Sequence, residues 1–258
     1  RHLSPTAINL YMRCQKQFYY KYFRGLQEEK DEEDSMDAAA FGSFFHNTAE
    51  DFYSKFVGVS LDRAMLQPYI DKPALLEPHI NRALEKTKAE LYKEGAASIE
   101  SGGMEELMKS IVKSYMRRLL RNDQQFAPFT IIGLEQTFYE QISIPNAGAP
   151  LKGQTIEIGG AVDRLDLVTD SLGRQTLRVV DYKSGTDKSH VKMADMDDIF
   201  STPDGRTEKD GSDYYRQTIL YSLAVSSTRA RQGEPAYPVA PALYYIRHGK
   251  LGSEEAYD

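Results

Sequence analysis

The sequence predicts an α/β fold, with a mixed central sheet flanked by helices and a helical N-terminal region. Three observations predict it. Apolar residues recur at helical spacing through the first half, as in Ile8, Tyr11 and Tyr22, then Phe41, Phe45 and Phe52, then Ile111, Tyr115 and Leu119. From Pro128 the pattern switches to short β-branched and aromatic runs punctuated by Gly and Ser. A helical stretch and one more strand-like run then close the chain, an α/β or α+β order with a helical insertion. The division is a helical region at about residues 1–126 and a sheet-bearing core at about 127–258, read as one domain.

The elements follow in order. Ser4-Pro5 starts the first helix, with Ser as N-cap and Pro at N1. Its apolar positions run to Arg24-Gly25. Residues 28–37 are acidic and polar and read as an exposed loop. A second helix covers about 38–57. Residues 60–126 read as largely helical, broken by Pro68, Pro73 and Pro78 and by the glycines of 95–103. Residues 130–139 form a strand with a bend, 154–158 a second and 161–168 a third. Ser171-Leu172-Gly173 turns the chain into a strand over 176–182, giving an antiparallel meander. A long polar loop (187–213), a helix (214–230) and a strand (242–247) complete the pattern.

Composition narrows the function. The chain has 258 residues, 41% hydrophobic and 27% charged, enough to bury a substantial core. Its net charge of −6 argues against coating nucleic acid through overall positive charge, and leaves room for an enzyme whose acids gather at one site. No apolar run reaches the roughly 20 residues of a membrane helix, so no membrane partner is expected. The lone Cys14 excludes an intrachain disulfide or an all-cysteine metal cage, and the cytoplasm is the expected compartment. The start at Arg1, without Met or an apolar signal region, reads as a fragment of a larger protein. Neither repeats nor a P-loop are seen.

The chemistry concentrates in two runs, Gly159-Gly160-Ala161-Val162-Asp163-Arg164-Leu165-Asp166-Leu167 and Leu177-Arg178-Val179-Val180-Asp181-Tyr182-Lys183. Residues i and i+2 of a strand share a face, so Asp181 and Lys183 project together, and a neighbouring strand can bring Asp163 beside them. Two carboxylates and one ammonium on a sheet edge need compensation, which a divalent metal supplies. Alone, Asp181-x-Lys183 also reads as a solvated strand edge and Asp163-Arg164 as a strand-end ion pair. Gln217 and Tyr221 share a helix face at i, i+4. His46 sits on an otherwise aromatic helix, where a core histidine is the plainer reading. Glu135 closes an apolar strand.

The joint order is more specific than its parts. Leu3-Ser4-Pro5-Thr6 with Cys14-x-x-x-Phe18-Tyr19-Tyr20, then Gly42-x-x-x-His46, Gly160-Ala161-Val162-Asp163-Arg164, Asp181-Tyr182-Lys183-Ser184-Gly185 and Gln217-x-x-x-Tyr221 resemble the RecB-like nuclease domains of the PD-(D/E)XK superfamily. The resemblance implies a restriction-endonuclease-like core and an Mg²⁺- or Mn²⁺-dependent deoxyribonuclease. It implies exonucleolytic action on single-stranded DNA or duplex ends, serving recombination and double-strand-break repair, with a helicase in the same polypeptide or complex. It also implies that Asp163, Asp181, the Tyr182 main-chain carbonyl and His46 hold the metal. Lys183 would orient or deprotonate the water, Gln217 and Tyr221 would position Lys183 and the phosphate, and Glu135 would stand behind the ligands. Some relatives carry a four-cysteine iron–sulfur cluster whose first cysteine matches Cys14. With no further cysteine, none is expected within this chain, and Cys14 reads as a small buried hydrophobe.

Two basic sets are candidate DNA contacts: Arg13, Lys16, Lys21 and Arg24 among tyrosines, and Arg117, Arg118 and Arg121. Basic side chains snorkelling around core helices are the alternative for both. A catalytically idle DNA-binding or scaffold domain is the alternative to an enzyme. A phosphatase or carbohydrate hydrolase fits less well, since a glycosidase needs two opposed carboxyls and no lysine.

Overall fold

The computed structural model describes residues 2–26, 32–93, 99, 102–143, 154–183, 212–245 and 250–251. The first helix starts where its sequence demands. Ser4 Oγ accepts the Ala7 N–H at 3.1 Å and Pro5 follows the cap. The expected single helix is two, α1 (Pro5–Arg13) and α2 (Gln15–Phe23), because Cys14 is extended at φ −157°. Cys14 is half-buried at this break rather than packed in the core. The next helix, α3 (Glu32–Tyr53), begins earlier than expected and takes in most of the acidic stretch read as a loop.

A short edge strand, β2 (Ser60–Leu61), precedes α4 (Arg63–Asp71), whose cap Asp62 accepts the Met65 N–H at 2.9 Å. Pro68 lies inside α4 instead of breaking it; buried Leu66 and Ile70 hold the turn. Then come α5 (Glu77–Lys93) and α6 (Gly103–Phe126). Phe44, Phe45, Phe52, Leu66, Leu76, Ile80, Val112, Met116 and Leu120 are buried together and weld α3–α6 into one layer.

The sheet is built on two strands of 15 residues, β3 (Phe129–Ser143) and β4 (Thr155–Thr169), antiparallel from Phe129↔Val168 to Ser143↔Thr155. The expected bend in β3 is a register shift between Ile131 and Gly133. Where two strands were expected, β4 is continuous, because Gly159-Gly160 keep the ladder intact. A Cβ on Gly159 would stand 1.9 Å from the Phe138 carbonyl oxygen. The turn at 171–173 is present, with Asp170 Oδ1 accepting the N–H groups of Leu172 and Arg174. It leads into β5 (Gln175–Lys183), antiparallel to β4.

The meander ends there. Helix α7 (Ser212–Arg231) carries the chain to β6 (Val239–Tyr245), which is parallel to β5, and β7 (Lys250–Leu251) follows on β6. The expected loop at 187–213 lies outside the described residues but for the start of α7. Strand β1 (His2–Leu3) pairs parallel with β4 at Glu157 and Ile158. The mixed sheet thus has the order β2-β3-β4-β5-β6-β7, with β1 on β4.

This topology leaves a gap. On one edge of β4, β1 takes residues 157–158 and β5 takes residues 164–169. Between them, residues 159–163 have no strand partner on that edge among the described residues. Helix α7 packs on one face of the sheet, over Val162, Leu165, Leu177 and Val179. The α3–α6 layer covers the other, against Phe129, Ile131, Val180 and Tyr182.

A fully buried ionic network ties that layer to the sheet. Both Arg164 terminal nitrogens donate to Asp123 of α6 at 2.8 Å. Arg164 Nε and Arg178 also reach Asp166, the latter at 2.7 Å, and the Tyr53 hydroxyl donates to Asp123. The Arg164 guanidinium lies 4.7 Å from the Tyr53 ring centroid. Two acids meet two arginines here, with their charges matched.

Candidate metal-dependent active site

The site forms at the gap in β4. The β4–β5 ladder stops at Arg164↔Val180, and Asp163 fills the fork. Its Oδ2 accepts the Tyr182 N–H at 2.6 Å, replacing the ladder bond that the parting strands give up.

Three elements bring acids and an imidazole to that fork. Helix α3 supplies His46, whose Nδ1 is 3.5 Å from Asp163 Oδ1 and whose ring stands edge-on to Tyr182, centroids 5.6 Å apart. The buried neighbours Phe45 and Ala49 fix the helix beneath it. Strand β3 supplies Glu135 at φ +48°, a left-handed backbone rare for a residue with a side chain. Its flanks pair with those of Asp163, through Leu134↔Arg164 and Gln136↔Val162. One ligand atom each from His46, Glu135 and Asp163 lie within 4.8 Å of one another. Glu135, expected behind the ligands, offers its carboxylate in the same cluster as His46 and Asp163.

The remaining residues form a second, linked group. Lys183 Nζ is 2.7 Å from Asp181 Oδ2 and donates to Gln217 Oε1 at 2.9 Å. Gln217 Nε2 donates to Asp181 Oδ1 at 3.1 Å and lies 3.4 Å from the Tyr221 hydroxyl. Tyr214 of the same helix, which the motif reading missed, places its ring 5.0 Å from the Lys183 ammonium. Tyr221 rests against Gly160, where a Cβ would touch its ring at 3.4 Å. The glycine of Gly160-x-x-Asp163 is therefore the floor under the phenol.

The electrostatics show what this cluster lacks. Burial, aided by the Asp163 charge, pushes the Glu135 carboxyl up to about 7. Burial also raises Asp181 to about 6, against the pull of Lys183. Burial disfavours the His46 imidazolium, yet Asp163, with Glu135 and Asp181, outweighs it and lifts His46 to about 9. Three acids face one lysine and one histidine, a shortage of positive charge. Two carboxylate oxygens and an imidazole nitrogen are a donor set that Mg²⁺ or Mn²⁺ accepts. Beside them opens a cleft of about 490 Å³, lined by Gly42, Ser43, His46, Glu50, Lys86 and Glu135 among others.

The basic candidates divide. Arg13 and Lys16, with Lys21 and Arg24, are exposed on α1–α2. On α6, Arg117 Nε donates to the Ile70 carbonyl at the end of α4, and Arg118 lies over the Tyr115 ring. Arg117 thereby ties α6 to α4, whereas the Arg118 contact stays within α6; Arg118 and Arg121 are exposed. Arg164 is no strand-end partner of Asp163 but the centre of the buried network. Asp123, Asp166 and Arg178 belong to that network too, and no local spacing announces the distant Asp123.

A sequence model of the PD-(D/E)XK nuclease superfamily matches residues 2–257. The chain belongs to the PD-(D/E)XK nuclease superfamily.

Proposed function

With membership of that superfamily as premise, we propose that this chain is a metal-dependent DNA nuclease that hydrolyses phosphodiester bonds. The observation that carries the reading is the convergence, at one fork in the sheet, of the His46–Glu135–Asp163 ligand cluster with the Asp181–Lys183–Gln217 network. His46, Glu135 and Asp163 would hold Mg²⁺ or Mn²⁺, with Asp181 and the Tyr182 carbonyl as further oxygens. A bound divalent ion neutralises phosphate charge and lowers the pKa of water.

The chain's own groups supply the rest. Asp181 and Gln217 hold the Lys183 ammonium from two sides, so it points at one place instead of sweeping solvent. From there it orients the attacking water and offsets charge on the phosphate. Tyr221, its hydroxyl pushed up to about 12 chiefly by burial, stays protonated and able to donate to a phosphate oxygen. The imbalance of acids explains why the site needs its cation before it accepts an anionic backbone.

We read the domain as exonucleolytic, serving recombination and double-strand-break repair beside a helicase. Digestion of end-labelled linear and circular DNA in Mg²⁺ or Mn²⁺ tests this. Linear DNA should shorten from its ends while circles survive, and Asp181→Ala and Lys183→Ala should cut at least about a hundredfold more slowly. Equal cutting by both variants would refute the site; no cutting by the parent protein on any end would leave a binding or scaffold domain.

A further inference from the structure

The N-terminal helix pair is sparsely buried. Helix α2 contains no buried residue. Tyr19, Tyr20, Tyr22 and Phe23 are 44–60% exposed, and Tyr11 of α1 is 47% exposed. They are not scattered. Phe18 packs edge-on to Tyr11 at 5.3 Å and against Tyr22 at 5.0 Å, and Tyr19 stacks on Phe23 at 15° between planes. The rings support one another instead of filling a core, so they form a standing apolar surface.

Its charge is equally distinctive. Residues 1–26 hold five Lys or Arg and no Asp or Glu, in a chain of net charge −6. Lys21 lies over the Tyr22 ring, with Lys16 and Arg24 exposed nearby. The pair is also tied to the catalytic helix. Asn9 of α1 donates to the Asp213 carbonyl and accepts from Arg216, both in the opening turns of α7 that present Tyr214 and Gln217.

We propose that α1–α2 is a stacking platform that holds single-stranded DNA and hands it to the fork. Flat, exposed rings suit unpaired bases, which offer a π-face; paired bases in a duplex do not. The acid-free cationic surround suits the phosphates between them. The inference rests on the nuclease reading for the identity of the strand, but concerns a different surface.

Binding without cleavage separates the two. In Ca²⁺, anisotropy of a labelled oligo(dT) should show Tyr20→Ala/Phe23→Ala weakening single-strand affinity about tenfold or more, with blunt-duplex affinity changing far less. Lys21→Gln/Arg24→Gln should weaken binding and flatten its salt dependence. The chain has no Trp, so Tyr20→Trp adds a sole indole, which oligo(dT) should quench. Unchanged affinity together with an unquenched indole would overturn the proposal, leaving the face to a protein partner. Equal losses on duplex and single strand would overturn it too, because charge alone would then explain binding. Neither outcome alters whether the parent protein cleaves DNA in Mn²⁺, which remains the measure of the nuclease reading.

Discussion

Asp163 and Arg164 are adjacent in the chain and opposite in circumstance. Arg164 turns into the helical layer, where two acids and two arginines cancel and every charge is buried. Asp163 turns into the fork, where acids outnumber their cationic partners and burial raises two of them. The first group needs nothing from outside. The second has a set of donor atoms that could hold a cation. Burial alone does not mark a functional site; burial with unmatched charge does.

The contrast can be broken by removing one member at a time. Lys183→Ala should slow cleavage about 10²–10⁴-fold, the usual range for a positioned proton-transfer group, while the urea midpoint stays near that of the parent. Arg164→Ala should do the reverse, costing about 3–5 kcal/mol of stability by stranding Asp123 and Asp166. If Asp163→Asn destabilised the fold as much, the two sides of β4 would not differ as described.

Metal sharpens the same contrast. Mn²⁺ at a hundred times its dissociation constant should raise the unfolding free energy by about 2.7 kcal/mol. Glu135→Gln should cut that gain, and Arg178→Lys should leave it alone. A further effect is on pH. A carboxyl raised from 4.5 to about 7 favours the fold while protonated, so metal-free stability should fall as pH climbs from about 4.5 through 7. Glu135→Gln should flatten that slope. Calorimetry between pH 4.5 and 8, with and without Mn²⁺, measures it, and bound metal should reverse the trend by competing with the proton.

The sequence reveals these two groups unequally. Asp181-x-Lys183 and Gln217-x-x-x-Tyr221 are local spacings, and period 2 and period 3.6 put them on common faces. His46 and Asp163 emerge from the order of motifs along the chain. Glu135 was visible only as an acid ending an apolar run, because its left-handed backbone is a tertiary constraint. Asp123 was invisible, since its partner lies 41 residues away on a strand. The fold class was legible in the change of period at Pro128. The break at Cys14 was not, for nothing in its neighbours forbids a continuous helix. The fusion of two expected strands into β4 was also hidden, because glycines punctuate turns more often than they ease a tight ladder.

The placing of Asp163 next to Arg164 also acts during folding. Side chains alternate along a strand, so a slip of β4 by one residue against β3 would carry one of the pair into the other's place. A slip one way would put the guanidinium into the acidic cluster, and a slip the other way would put the carboxylate against Asp123 in the dry layer. Either misregistered protein would be electrostatically wrong. The dipeptide is thus a checksum on strand alignment: a chain that has assembled its stabilising network has, by the same pairing, placed Asp163 beside His46 and Glu135.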